Sequence, residues 1–209
     1  MTYIRNSQFN IRKVGYSSML LALLLLTAVT LLFSASDNKF KVGTIGATAW
    51  GTSTQVGQSI NMSVVVREFS NEADRAILVE AFQKAQNQGL VNALTKMRAV
   101  GRISMDGTIG YDLSYIRLIP TPTGRKIRFI TNRQISFGEA YYSTQSVAYN
   151  LTAGEIEIND VHKDKSSGVL FPAAQLVINK EGQIEFELRQ NPWKLVNIMD
   201  WDKVGAPIE

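Results

Sequence analysis

Two single carboxylates stand inside aromatic runs of this chain. Asp112 lies in "GYDLSY", between Tyr111 and Tyr115, and Glu139 lies in "ISFGEAYY", beside Phe137, Tyr141 and Tyr142. Aromatic walls with a few convergent polar groups are what small-ligand pockets are made of. Asp112, Tyr115, Arg133, Glu139 and Tyr141 are therefore the candidate pocket. Converging in a cleft, Asp112 and Glu139 could also serve a hydrolase as acid and base. The plainer role for each is a structural hydrogen bond, or an ion pair with Arg117 or Arg133.

Other reactive groups are scarce. The single histidine, His162, sits in "NDVHKDKSSG" with Asp160, Asp164, Ser166 and Ser167 close by in sequence. No Gly-x-Ser-x-Gly elbow accompanies it, so it reads as a loop histidine and not as part of a triad. The chain has no cysteine. That removes thiolate metal sites, a thiol nucleophile and disulfides. No H-E-x-x-H spacing and no glycine-rich phosphate loop are present, so no metal and no cofactor is expected. Glu155/Glu157 and Glu185/Glu187 are i,i+2 pairs, a spacing open to glycoside hydrolysis or calcium. Each pair alternates with apolar residues, which predicts a solvated strand face instead.

The stretch "GRKIRFITNR", Gly124 to Arg133, interleaves four cations with Ile127, Phe129 and Ile130. Taken in twos, Arg125, Ile127, Phe129, Thr131 and Arg133 share a core-facing side, while Lys126, Arg128, Ile130 and Asn132 share a wet one. Phe129 is then buried, and a nucleic-acid stacking platform needs exposed rings. Arg125 and Arg133 are expected to meet Asp112 or Glu139, and Lys126 and Arg128 to guard a sheet edge.

The N-terminus decides the compartment. Arg5, Arg12 and Lys13 precede Ser17–Phe33, 17 residues without a charge, and "SASDN" follows. A basic segment, an apolar segment and a small-residue exit make a signal peptide over residues 1–36, with cleavage near Ser36. The alternative is an uncleaved anchor, since about 17 residues is the lower limit for a bilayer span. Both put the rest of the chain outside the cytoplasm, in the periplasm or beyond it. Membrane contact is expected only through residues 17–33, and only if the signal stays. The chain has 22 basic and 18 acidic residues. Removing the three basic residues of the signal leaves 19 against 18. No strong field toward nucleic acid remains.

These groups must be positioned by strands. "INMSVVV", "EIEIND" and "QIEFELRQ" alternate strictly, and Asp106-Gly107 marks a hairpin turn. Pro120 and Pro122 argue against a central strand around them. "SNEADRAILVEAFQKAQNQG" breaks the pattern. Asn71 and Asp74 have capping-box spacing, Ala73, Ile77, Ala81 and Ala85 with Leu78 and Phe82 form an apolar stripe, and Gly89 is a stop. A second short helix follows to Met97. The prediction is one mainly β domain over residues 37–209, an antiparallel β-sandwich or partly open barrel, with a helical insertion over about 71–97.

Met97–Ala140 resembles a family of uncharacterised exported bacterial proteins. The resemblance rests on Lys96-Met97, "VGRIS" (Val100–Ser104), "GYDL" (Gly110–Leu113), Ile119-Pro120 and "TNRQISFGEA" (Thr131–Ala140). It implies a bacterial envelope protein and carries no activity. The functional expectation is an exported, non-enzymatic β-domain that binds a small apolar ligand or an envelope protein. A carboxylate–tyrosine hydrolase and a membrane-tethered structural module are the alternatives.

Overall fold

A computed structural model describes residues 40–52, 56–135, 150–180, 184–186 and 192–208. Its strands are β1 (Gly43–Trp50), β2 (Ser59–Val66), β3 (Gly101–Met105), β4 (Tyr111–Thr121), β5 (Gly124–Thr131), β6 (Leu151–Asn159), β7 (Ser167–Ala174), β8 (Leu176–Ile178), β9 (Ile184–Phe186) and β10 (Trp193–Asp200). Eight of them close into an antiparallel barrel in the order β1-β10-β7-β6-β5-β4-β3-β2, and β8 pairs with β9 alone. The mainly β antiparallel prediction holds, and the sheet is closed where a sandwich or an open barrel was expected. Closure gives each of these eight strands a neighbour on both sides. β5 is flanked by β4 and β6, so Lys126 and Arg128 guard no edge.

Alternation fills the barrel. Ile45, Met62, Val64, Ile103, Ile127, Phe129, Ile156 and Leu195 are among the buried residues of its interior cluster. Phe129 lies across the strand β6 at its partner Gly154, where a Cβ would come within 2.3 Å of the ring. β4 carries Pro120 near its end, against expectation. Its pairing with β3 stops at Leu113, so the proline takes no donor from a ladder on that side.

The helical insertion is α1 (Glu72–Lys96), two arms joined at Ala85 and Gln86, whose backbone leaves the helical region. The Asn71–Asp74 capping box forms in both directions. Gly89 is no stop. It lies within the second arm, where a Cβ would fall 2.0 Å from the Ala81 carbonyl oxygen, so glycine lets the arms touch. The predicted stripe is also corrected: Ile77 is exposed, and the buried residues are Leu78, Asn87, Gly89, Leu90 and Leu94. The bend changes which residues can face the barrel, so a single helical stripe cannot run through it.

α1 covers the outer wall of the barrel. Leu78, Leu90 and Leu94 pack with Tyr115, Ile130, Ala153 and Phe171. Ile130, expected on a wet face, is buried there. Tyr115 reaches the same wall through a β-bulge between Leu113 and Tyr115, which puts Leu113 and Ile116 inside and Tyr115 outside. Asn87 fastens the bend: its Nδ2 donates to the Ala174 carbonyl at 2.8 Å, and its Oδ1 accepts from Leu176 N at 3.0 Å.

Candidate binding site at one end of the barrel

The sequence-predicted pocket residues are placed as follows. Asp112 lies exposed on β4, with Arg102 Nη1 at 3.9 Å. Tyr115 is buried beneath α1, where burial pushes its phenol pKa up and the nearby Arg117 offsets part of that shift. Arg133 is exposed, and its Nε donates to Asn132 Oδ1 at 3.5 Å. No contact joins these three. Glu139 and Tyr141 lie outside the described residues. Among the described residues no three His, Asp or Glu side chains gather where a metal ion could be held.

The cations of β5 are satisfied by different partners from those expected. Arg128 pairs with Glu155 at 2.6 Å, and Lys126 reaches Glu155 and Glu157 at 3.2 Å each. β5 and β6 are in register here, Arg128 opposite Glu155 and Lys126 opposite Glu157. Burial opposes the charge of Lys126, but attraction and hydrogen bonds from the two glutamates outweigh it and raise its pKa. Glu155 and Glu157 thus form a cross-strand charge ladder, not a reactive pair. His162 is exposed, and its neighbours are engaged elsewhere: Ser166 Oγ accepts from Asn159 N at 3.0 Å, and Asp160 pairs with Arg125.

Arg125 organises the site. It is the first inward residue of β5, with a side chain 7% exposed. Its Nε donates to the Val204 carbonyl at 2.5 Å, its Nη2 pairs with Asp200 Oδ2 at 2.5 Å, and its Nη1 pairs with Asp160. Asp200, 10% exposed, also accepts from Val204 N at 2.8 Å. A buried guanidinium is tolerable when its donors meet carboxylates and a carbonyl in this way. The cluster closes the core at one end of the barrel and ties the C-terminal turn to it.

Asp200 faces Arg125 because β10 is bulged. Thr48 pairs with Val196 and Gly46 with Met199, so β10 uses one more residue than β1 between those pairs. Asn197 takes φ 51 within the bulge, a left-handed conformation that asparagine tolerates better than most residues. Before it, Trp193 and Leu195 face inward. After it, Ile198 packs on the interior cluster, while Met199 and Trp201 lie outside over Gly46. A cleft of about 660 Å³ opens beside them, lined by Met199, Trp201, Lys163, Lys203, Asp160 and Asp200 among others. Trp201 is 65% exposed at its rim. Sequence reasoning missed this site. The available signal was a phase change in "WKLVNIMDW", where apolar residues at 193 and 195 give way to an apolar residue at 198.

The fold defines the class of molecule, a closed eight-stranded antiparallel barrel with a bent helix on its outer wall. No family model, no curated protein and no solved structure matches the chain.

Proposed function

We propose that this protein is an exported, non-enzymatic binding domain, and that the barrel-end cleft beside Trp201 holds a small ligand with an apolar body. One observation carries the reading: the open cleft of about 660 Å³ has exposed Trp201 and Met199 on one side and Lys163 and Lys203 within its lining. An accessible indole gives apolar contact without filling the space, and nearby lysines favour an anionic substituent. Of the two carboxylates a hydrolase would need, Asp112 is exposed on β4 and Glu139 lies outside the described residues. Export rests on Ser17–Phe33 and the basic residues before it.

The probe is 1-anilinonaphthalene-8-sulfonate, an aromatic body with an anionic group. It is expected to bind saturably, with Trp201→Ala weakening binding about tenfold, equivalent to ~1.4 kcal/mol. Trp50→Ala, at the far end of β1, should leave binding unchanged. Equal affinity in wild type and Trp201→Ala would overturn the assignment of the cleft.

A further inference from the structure

We propose that the barrel end bearing Trp201 docks against a lipid bilayer, and that membrane contact extends beyond residues 17–33. The described chain starts at this end. Phe40 forms a bridge with Pro207, and Lys41 N donates to the Ala206 carbonyl at 2.8 Å. Only six residues separate Phe33, the last of the apolar stretch, from Phe40. Fully extended, the seven Cα–Cα steps between the two span at most about 25 Å. If Ser17–Phe33 sits in a membrane, this end of the barrel is held close to its surface.

The side chains here suit that surface. Val42, Val161, Met199, Trp201 and Ile208 are exposed large apolar groups, and all belong to this end: the start of β1, the end of β6, the end of β10 and the C-terminal turn. Lys163, Lys165 and Lys203 are exposed among them, matched in number by exposed Asp160, Asp164 and Asp202, so the apolar groups and not net charge would carry the docking. Tryptophan prefers the headgroup level of a bilayer, and lysine can bury its stem while its ammonium stays in water. The opposite end also exposes apolar residues, Trp50, Val56 and Ile109. What separates the two ends is the tether: residues 1–39 join the barrel beside Trp201 and not beside Trp50. This inference goes beyond the ligand reading, which the dye titration tests without any lipid.

The full chain, residues 1–209, is reconstituted into vesicles of phosphatidylethanolamine and phosphatidylglycerol with brominated acyl chains, and tryptophan emission is compared with unbrominated vesicles. Two variants separate the ends, and Trp193 stays buried in both. Trp50→Phe retains Trp201, one of its two remaining tryptophans, so bromination is expected to lower emission by roughly half. Trp201→Phe retains Trp50 and is expected to show almost no loss. Stronger quenching in Trp201→Phe than in Trp50→Phe, equal quenching in both, or failure of the chain to float with the vesicles would each overturn the proposal.

Discussion

At the scale of single residues, charge placement separates two kinds of ion pair. Arg125 and Asp200 are both nearly buried, whereas Asp160 is 56% exposed. Removing one partner of a buried pair strands the other charge without water, at a cost of about 3–5 kcal/mol, while an exposed partner contributes about 1 kcal/mol or less. Arg125→Ala is therefore expected to lower unfolding free energy by about 3 kcal/mol, and Asp160→Ala by under about 1 kcal/mol. Urea unfolding of the two variants checks the ranking. Equal losses would mean that Asp200 is not dependent on Arg125. Titration adds a second expectation. The folded pKa values of Tyr115 and Lys126 are both raised. The stability each contributes is fully present below its unfolded value, about 10 for tyrosine and about 10.4 for lysine, and is lost as pH rises through the folded value. The urea midpoint should fall as pH rises above about 10, and fall less in Tyr115→Phe, in which the tyrosine contribution is absent. A midpoint that changes identically in wild type and variant would refute the part assigned to Tyr115.

At the scale of elements, two irregularities set what the site contains. The bulge in β4 hands Tyr115 to the wall beneath α1, and the bulge in β10 exchanges the inner and outer faces of the strand's last residues. Asn197→Val is the informative substitution, because a β-branched residue at φ 51 is strained. It is expected to destabilise the barrel by about 1–3 kcal/mol and to abolish binding of the anilinonaphthalene probe, since Met199 and Trp201 depend on the phase of the strand. Asn197→Gly should keep both stability and binding. Probe affinity and urea midpoint, measured on the two variants together, check this; undiminished binding in Asn197→Val would dissociate the bulge from the cleft. These irregularities also explain what the sequence does and does not disclose. Strict alternation in "INMSVVV" and "EIEIND" puts Ile60, Met62, Val64 and Val66 on one face and Ile156 and Ile158 on another; all are buried except Ile60, which is half-buried. A bulge interrupts that alternation by one residue, so inner and outer residues after it are misassigned unless the phase change is noticed. The α1 bend acts likewise: the cap at Asn71 is legible because it is local, whereas the break at Ala85–Gln86 follows from packing against the barrel, which leaves no local mark.

At the scale of the whole molecule, the described residues of the candidate pocket drawn from sequence, Asp112, Tyr115 and Arg133, do not line the cleft at the barrel end. Asp112, Tyr115 and Arg133 were linked by nearness to aromatic residues in the chain. Arg125, Asp160, Asp200 and Trp201 come together from β5, the end of β6 and the end of β10, over separations that no spacing rule covers. Barrel closure was illegible for the same reason: alternation reports that a strand has one buried face and says nothing about which strand lies beside it.

The seam that closes the barrel joins its first strand to its last, with Ile45 opposite Asp200. A chain made from its N-terminus forward can form hairpins such as β3–β4 and β4–β5 early, but it cannot complete its core until β10 has been synthesised. Long-range pairing of this kind is slow and comes late in folding. A polypeptide whose last strand must arrive before the rest can lock completes its barrel only when nearly all of it has been made.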